Sequence, residues 1–142
     1  MNMIVYCTGT KTGDEAYQIL HKNIIEFIES LGHSVLSELS GKFSSTIPLT
    51  ETQIYKRNLK WIDGSKLVIA EISDSELETG IEIAYALFHR KIPVLALHIS
   101  DERKLTPMLL GCDLSLLKID KYSDANEMEK IVKNFLINHS KS

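Results

Sequence analysis

Apolar runs alternate with helix-period segments along the chain. "MIVYCT" (Met3–Thr8) reads as a strand. "DEAYQILHKNIIEFIESLG" then sets Tyr17, Leu20, Ile24, Phe27, Ile28 and Leu31 three and four residues apart, the spacing of an amphipathic helix stopped by Gly32. "HSVLSEL" is a second, weaker strand, and "SGKFSSTIPLT" a loop rich in Ser and Thr. "ETQIYKRNLKWIDG" predicts a helix with Thr50 as N-cap and Gly64 after its end. "KLVIAEI" is a strong strand, "ETGIEIAYALFHR" a helix and "IPVLALHI" a strand. "DERKLTPMLLGC" reads as a loop with one helical turn, and "LSLLKID" as a last strand. "DANEMEKIVKNFLINH" closes the chain as a helix with Met128, Ile131, Val132, Phe135 and Leu136 on one face. The order βαβαβαβαβα predicts an α/β fold: one doubly wound parallel sheet, flavodoxin- or Rossmann-like, with helices on both faces.

In such a sheet ligands bind at the carboxyl ends of the strands, near the point where strand order reverses. Three loops meet there: "CTGTKTGD", "SDSELETG" and "SDERKLTPM". The carboxylates of the second loop lie on the rim where a ligand would sit. The 142 residues make one domain, 1–142, with 44% hydrophobic and 25% charged residues. The net charge of −3 carries no basic block, so neither a nucleic acid nor a membrane is an expected partner. "MNMIVYCTGT" lacks the marks of a signal peptide, and Cys7 and Cys112 read as free thiols, so a cytoplasmic location is expected. The five histidines have no ligand spacing; no metal and no cofactor are expected.

"CTGTKTGD" has two glycines and three threonines between a strand and a helix. It reads either as a phosphate cradle built of backbone N–H groups or as a βα turn that needs small residues. It lacks both GxGxxG and GxxxxGKS/T. In "SELETGIEIAYA", Glu82 is expected in the first helical turn, where the dipole keeps a carboxylate ionised. It reads either as a nucleophile toward an electrophilic carbon or as an ordinary first-turn acid. A receiver domain is excluded, because Cys7-Thr8-Gly9 stands where paired acids are needed. FMN binding is disfavoured, because no aromatic residue stands in the first or third loop to flank the ring.

Four segments in order, "IVYCTGT", "IYKRNLKWIDGSKLVIAEIS", "GIEIAYALFHRKIPVLALH" and "RKLTPMLLG", resemble the nucleoside 2-deoxyribosyltransferase-like family, which includes the 2'-deoxynucleoside 5'-phosphate N-hydrolases. The resemblance runs from Met3 to about Gly111, without gaps from Ile54 to Leu97. It implies an enzyme that cleaves or exchanges the N-glycosidic bond of a deoxynucleoside or its 5'-monophosphate, in a homodimer or higher homo-oligomer whose neighbour completes the site. Glu82 matches the nucleophile that forms a covalent glycosyl ester, and Tyr6 the tyrosine that orients it. Gly9 and Thr10 match the turn lining the substrate pocket. Gly80 matches a glycine that admits substrate close to backbone. Thr106 matches a Ser or Asn that reaches the 5' end of the neighbour's substrate.

The departures carry information too. Asn58 stands where the family has the aspartate that helps protonate the departing base, and an amide supplies no proton at neutral pH. Glu76 stands where phosphate-accepting members have a serine and the nucleoside transferases an acid. Glu78 replaces a glycine. Thr12, with Lys11 beside it, stands where the hydrolases have an arginine. A carboxylate near the 5' end repels a phosphate, so a nucleoside is expected over a nucleotide. A binding module with weakened catalysis is the second reading, and Asn58 favours it.

Overall fold

The computed structural model describes residues 2–40, 47–74 and 76–140. Five strands form one parallel sheet: β1 (Ile4–Thr8), β2 (Ser34–Leu36), β3 (Leu67–Glu71), β4 (Val94–His98) and β5 (Leu117–Lys121). The helices are α1 (Glu15–Ser30), α2 (Glu51–Asp63), α3 (Leu77–Ala84), α4 (Pro107–Leu110) and α5 (Ala125–His139). The strand order is β2-β1-β3-β4-β5, so the chain reverses direction across the sheet between β1 and β3. This is the doubly wound α/β fold that the alternation predicts, with its switch point at the β1 and β3 ends.

Strand alternation divides the core. Val5, Cys7, Leu67, Ile69, Leu95 and Leu97 point to one face, packed with Ile24, Ile28, Val132 and Phe135 of α1 and α5. Tyr6, Val68, Ala70, Val94 and Ala96 point to the other, with Ile62 of α2 and Ile83 of α3. Tyr6 and Thr8 therefore aim at α2 and α3.

Several boundaries differ from the expected ones. β2 keeps only three residues, so Glu38 and Leu39 belong to a loop. Most of the expected "SGKFSSTIPLT" loop, residues 41–46, lies outside the described residues. Thr50 does cap α2, in a reciprocal box with Gln53. The helix read from Glu78 through Arg90 begins instead at Leu77 and widens into a π-helix over Tyr85–Arg90. Lys91, left-handed at φ 54°, ends it. The wide turn coincides with a 2.6 Å bond from the Tyr85 hydroxyl to Asp63 Oδ1 and with Tyr85 stacked on His89.

Two buried polar groups pin the loops at the switch point. Glu71 accepts from the Tyr122 hydroxyl and, at 2.6 Å, from the Ser73 N–H. Burial pushes its carboxyl up, against those hydrogen bonds. This fixes the start of the β3–α3 loop. His21 of α1 donates from Nδ1 to the Thr10 carbonyl at 3.3 Å, beneath the β1–α1 loop. A Cβ on Gly9 would lie 3.0 Å from the His21 ring and 3.2 Å from the Glu71 carbonyl, so only glycine lets the loop close on both.

Burial holds the His21 imidazole down at about 4, against the backbone bond to Thr10. The folded protein keeps it neutral, whereas the unfolded chain takes up a proton below about 6.5. Stability supplied by neutral His21 is complete above that pH and is lost as pH falls toward 4. Urea unfolding at pH 7 and pH 4.5 reads this out. The wild type should lose about 2–3 kcal/mol from this group, and His21→Gln should be flatter by about that amount.

Candidate active site

Glu82 sits in the second turn of α3, and its side chain is buried at 3% exposure. This corrects the expected first-turn position on the rim. Glu76 is the last extended residue before α3, at φ −96° and ψ 120°, so the helix starts earlier and Glu78 takes the first turn. The helix dipole has little hold beyond that turn. Side-chain donors hold Glu82 instead. The Tyr6 hydroxyl donates to Oε2 at 2.5 Å and the Thr8 hydroxyl to Oε1 at 2.5 Å. The Asn58 amide donates to Oε2 at 3.2 Å. Burial still pushes the Glu82 carboxyl upward, against Thr8, Tyr6 and the charge of Lys11. Burial and the Glu82 charge together drive the Tyr6 phenol far up, so it remains a donor.

Asn58 is buried on α2, and its amide orientation is forced. Its Nδ2 faces two carboxylates, Glu38 Oε1 at 2.6 Å and Glu82 Oε2 at 3.2 Å, which can only accept. Its Oδ1 accepts from Arg57 Nε at 3.1 Å. Arg57 also reaches Glu38 at 2.9 Å and lies 4.4 Å over the Trp61 ring. Lys11 Nζ pairs with Glu38 Oε2 at 3.0 Å and with Glu78. Burial alone would raise the Glu38 carboxyl. The hydrogen bonds from Asn58 and Lys11 and the charges of Lys11 and Arg57 outweigh it, so Glu38 lies below its ordinary range.

Thr10 donates to Glu76 Oε1 at 2.7 Å and accepts from the Gly13 N–H at 3.0 Å. A side chain on Gly13 would displace the Asp74 carboxylate and the Thr10 hydroxyl. Tyr6, Asn58 and Glu82 are thus brought together, with Gly9, Thr10 and Glu76 on the adjoining loops. Gly80 and Thr106 lie elsewhere. They line a cleft of about 520 Å³ with Glu76, Leu77, Ile81 and Leu105. Glu82, Tyr6 and Asn58 are not among its walls. Two residues along α3 turn through about 200°, so Gly80 and Glu82 face opposite ways. Among the described residues no group of three or more His, Cys, Asp or Glu side chains is arranged to hold a metal.

Thr8, Glu38 and Arg57 were not singled out from the sequence. Thr8 had a signal, since it shares the Tyr6 face of β1 by alternation. Glu38 had none. It follows a three-residue edge strand and meets Asn58 only through the topology.

No protein-family model matches the chain. A relative from Methanococcoides burtonii, provisionally named 2'-deoxynucleoside 5'-phosphate N-hydrolase 1, is 35% identical over 115 residues, 77% of this chain and 90% of its own. A similarly named protein of Methanosarcina mazei is 31% identical over 138 residues, 93% of this chain and 83% of its own. The 5-hydroxymethyl-dUMP N-hydrolase of Esox lucius is 26% identical over 145 residues, 98% of this chain and 99% of its own. Two solved structures share the fold. The Clostridium botulinum CMP N-glycosidase superposes with a TM-score of 0.68 at 17% identity, over 92% of this chain and 99% of its own. The 2-deoxyribosyltransferase of Bacillus psychrosaccharolyticus gives 0.63 at 21%, over 89% and 90%. With its fold and at least 30% identity to relatives it spans almost end to end, the chain belongs to the nucleoside 2-deoxyribosyltransferase-like family, whose members include the 2'-deoxynucleoside 5'-phosphate N-hydrolases.

Proposed function

We propose that the protein cleaves or exchanges the N-glycosidic bond of a deoxynucleoside through a covalent glycosyl ester on Glu82. The observation that carries this is one buried carboxylate at the switch point, held by donors on β1 and α2. Departure of the base leaves oxocarbenium character on the sugar, and a carboxylate beside the anomeric carbon stabilises it and then bonds to it. Tyr6 and Thr8 fix the carboxylate's rotamer before substrate arrives, which removes reorganisation from the reacting step. Water or a second base then takes the sugar.

Glu76 favours a substrate without phosphate. Its carboxylate accepts from Thr10, whose neighbour Lys11 pairs with Glu38 and Glu78. The cations Lys11 and Arg57 are both already paired with Glu38. A phosphate dianion entering this set meets like charge at low dielectric. The second reading, hydrolysis of a 5'-monophosphate, is favoured by the relatives' names. A binding module with weakened catalysis is the third, on account of Asn58.

The cleft behind α3 supports a homo-oligomer. Leu77 and Ile81, on its wall, are 82% and 55% exposed. Thr106 and Gly80 face it and not their own Glu82, so they serve a substrate only when another copy's site lies against them. Sedimentation should give a dimer or larger, and Ile81→Glu should dissociate it.

Glu82→Gln keeps the volume and removes the nucleophile. It should abolish turnover, monitored by base release from a panel of deoxynucleosides. In the wild type the reacting form is the ionised one. Because burial raises Glu82, the acid limb of the rate should fall above the ordinary carboxylate value of about 4.3.

The wild type should have higher kcat/KM on a deoxynucleoside than on its 5'-monophosphate, and Glu76→Ser should move the preference toward the phosphate. A strong wild-type preference for the monophosphate would establish the second reading.

Asn58→Asp places a carboxyl between Glu38 and Glu82, where it must keep its proton to stay. The variant should outpace the wild type on deoxynucleosides at low pH and lose that advantage as the pH rises. An unchanged pH profile would separate Asn58 from the chemistry.

A further inference from the structure

Departure of a nucleobase leaves an electron pair on its ring nitrogen, and the reaction is fast when a proton or a cation meets that pair. The side chains around Glu82 leave few sources. Tyr6 and Thr8 already donate to Glu82 itself. The Asn58 amide is not an acid, and the Arg57 guanidinium does not give up a proton in proteins. Glu38 is held in its charged form.

Lys11 remains. Its side chain is only 16% exposed, and its ammonium bridges Glu38 on one side of the site to Glu78 on the other. Glu78 and Glu82 are four residues apart on α3, so they share a face and lie about 6 Å apart along the axis. Glu38 joins Glu82 through Asn58. Glu82, Asn58, Glu38, Lys11 and Glu78 therefore close a ring, with the ammonium across it from the nucleophile. In a near-attack geometry the attacking oxygen stands about 3–3.5 Å from the carbon, which puts the departing nitrogen about 5 Å from that oxygen. The Lys11 charge already acts on the Glu82 carboxyl across this ring.

We propose that Lys11 is the catalytic residue that protonates the departing base, in the place that Asn58 cannot fill. This rests on Glu82 acting as the nucleophile. In the first step the bond from C1' to the base nitrogen breaks and the Glu82 oxygen bonds to C1'. The electron pair stays on the base, which takes a proton from the Lys11 ammonium. The free base leaves, and Lys11 is a neutral amine. In the second step water attacks C1' and the ester bond breaks. The water's proton returns to Lys11, restoring both residues. Glu38 and Glu78 hold the ammonium in place throughout. By sequence Lys11 stands only beside the place of the hydrolases' arginine, whereas the fold holds it between two carboxylates.

The test separates leaving groups. Deoxynucleosides need a proton on departure, whereas a nitrophenyl 2-deoxyriboside leaves as a stable anion. Lys11→Met should lower kcat on deoxynucleosides by on the order of 10²–10⁴-fold and cost the nitrophenyl substrate far less. Lys11→Arg, which keeps the charge without a transferable proton, should lose nearly as much. Added ethylamine should restore part of the rate of Lys11→Ala on deoxynucleosides. Equal loss on both substrate classes, no loss at all, or full activity in Lys11→Arg would overturn the proposal. Failure of the nucleophile reading is seen separately, as nitrophenyl cleavage that survives in Glu82→Gln.

Discussion

A carboxylate with almost no solvent exposure is the constraint from which the rest of this site follows. Burying an unpaired charge costs several kcal/mol, so Glu82 can sit on α3 only if donors meet it there. β1 provides two, two residues apart on one face of a strand. α2 provides the third. Thr8 ends β1 and Tyr6 lies two residues before it on the face toward α2 and α3, so the doubly wound topology itself brings the set together. Even so, burial outweighs the donors and the carboxyl is raised. The balance leaves a buried carboxylate that takes up a proton more readily than an exposed one.

The next shell manages charge. Glu38, Glu76 and Glu78 add carboxylates near Glu82, and among the described residues Lys11 pairs with Glu38 and Glu78 and Arg57 with Glu38. The Asn58 amide and both cations converge on Glu38 and hold its carboxyl below its usual range, while burial holds Glu82 above it. Two acids joined by one amide thus differ in how readily they take up a proton because their neighbours differ. The amide in between passes hydrogen bonds to both and carries no charge. An aspartate there would have to be protonated at rest, and this chain has solved the same crowding with a neutral side chain.

The fold was legible because its signal is periodic. The apolar strands and the three- and four-residue spacing of α1 and α5 alternate regularly, and alternation of that kind has one stable arrangement. Tyr6 and Glu82 could be read as a pair through the resemblance alone. Nothing local joins them, since 76 residues separate the two in sequence. The errors fell where local chemistry decides. The start of α3 turns on the backbone angles of Glu76, which no side-chain cap announces. The π-helix after Ala84 has the same apolar pattern as an α-helix. Glu38 was invisible because an edge strand of three residues leaves no period to count, and its partners come from α2 and the β1 loop.

α3 serves two surfaces at once. Glu78 and Glu82 face the site, while Leu77, Gly80, Ile81 and Ala84 line the cleft behind it. A packed helix moves as one piece, so the two faces cannot be adjusted independently. Anything that fills the cleft fixes the rotation of α3, and with it the distance from Glu82 to the Tyr6 and Thr8 hydroxyls. Those bonds are short and directional, and a small rotation would break them before the core felt it. The apolar face and the face that carries Glu82 therefore belong to one rigid helix, and a contact on Leu77 or Ile81 bears on the bonds that hold the carboxylate.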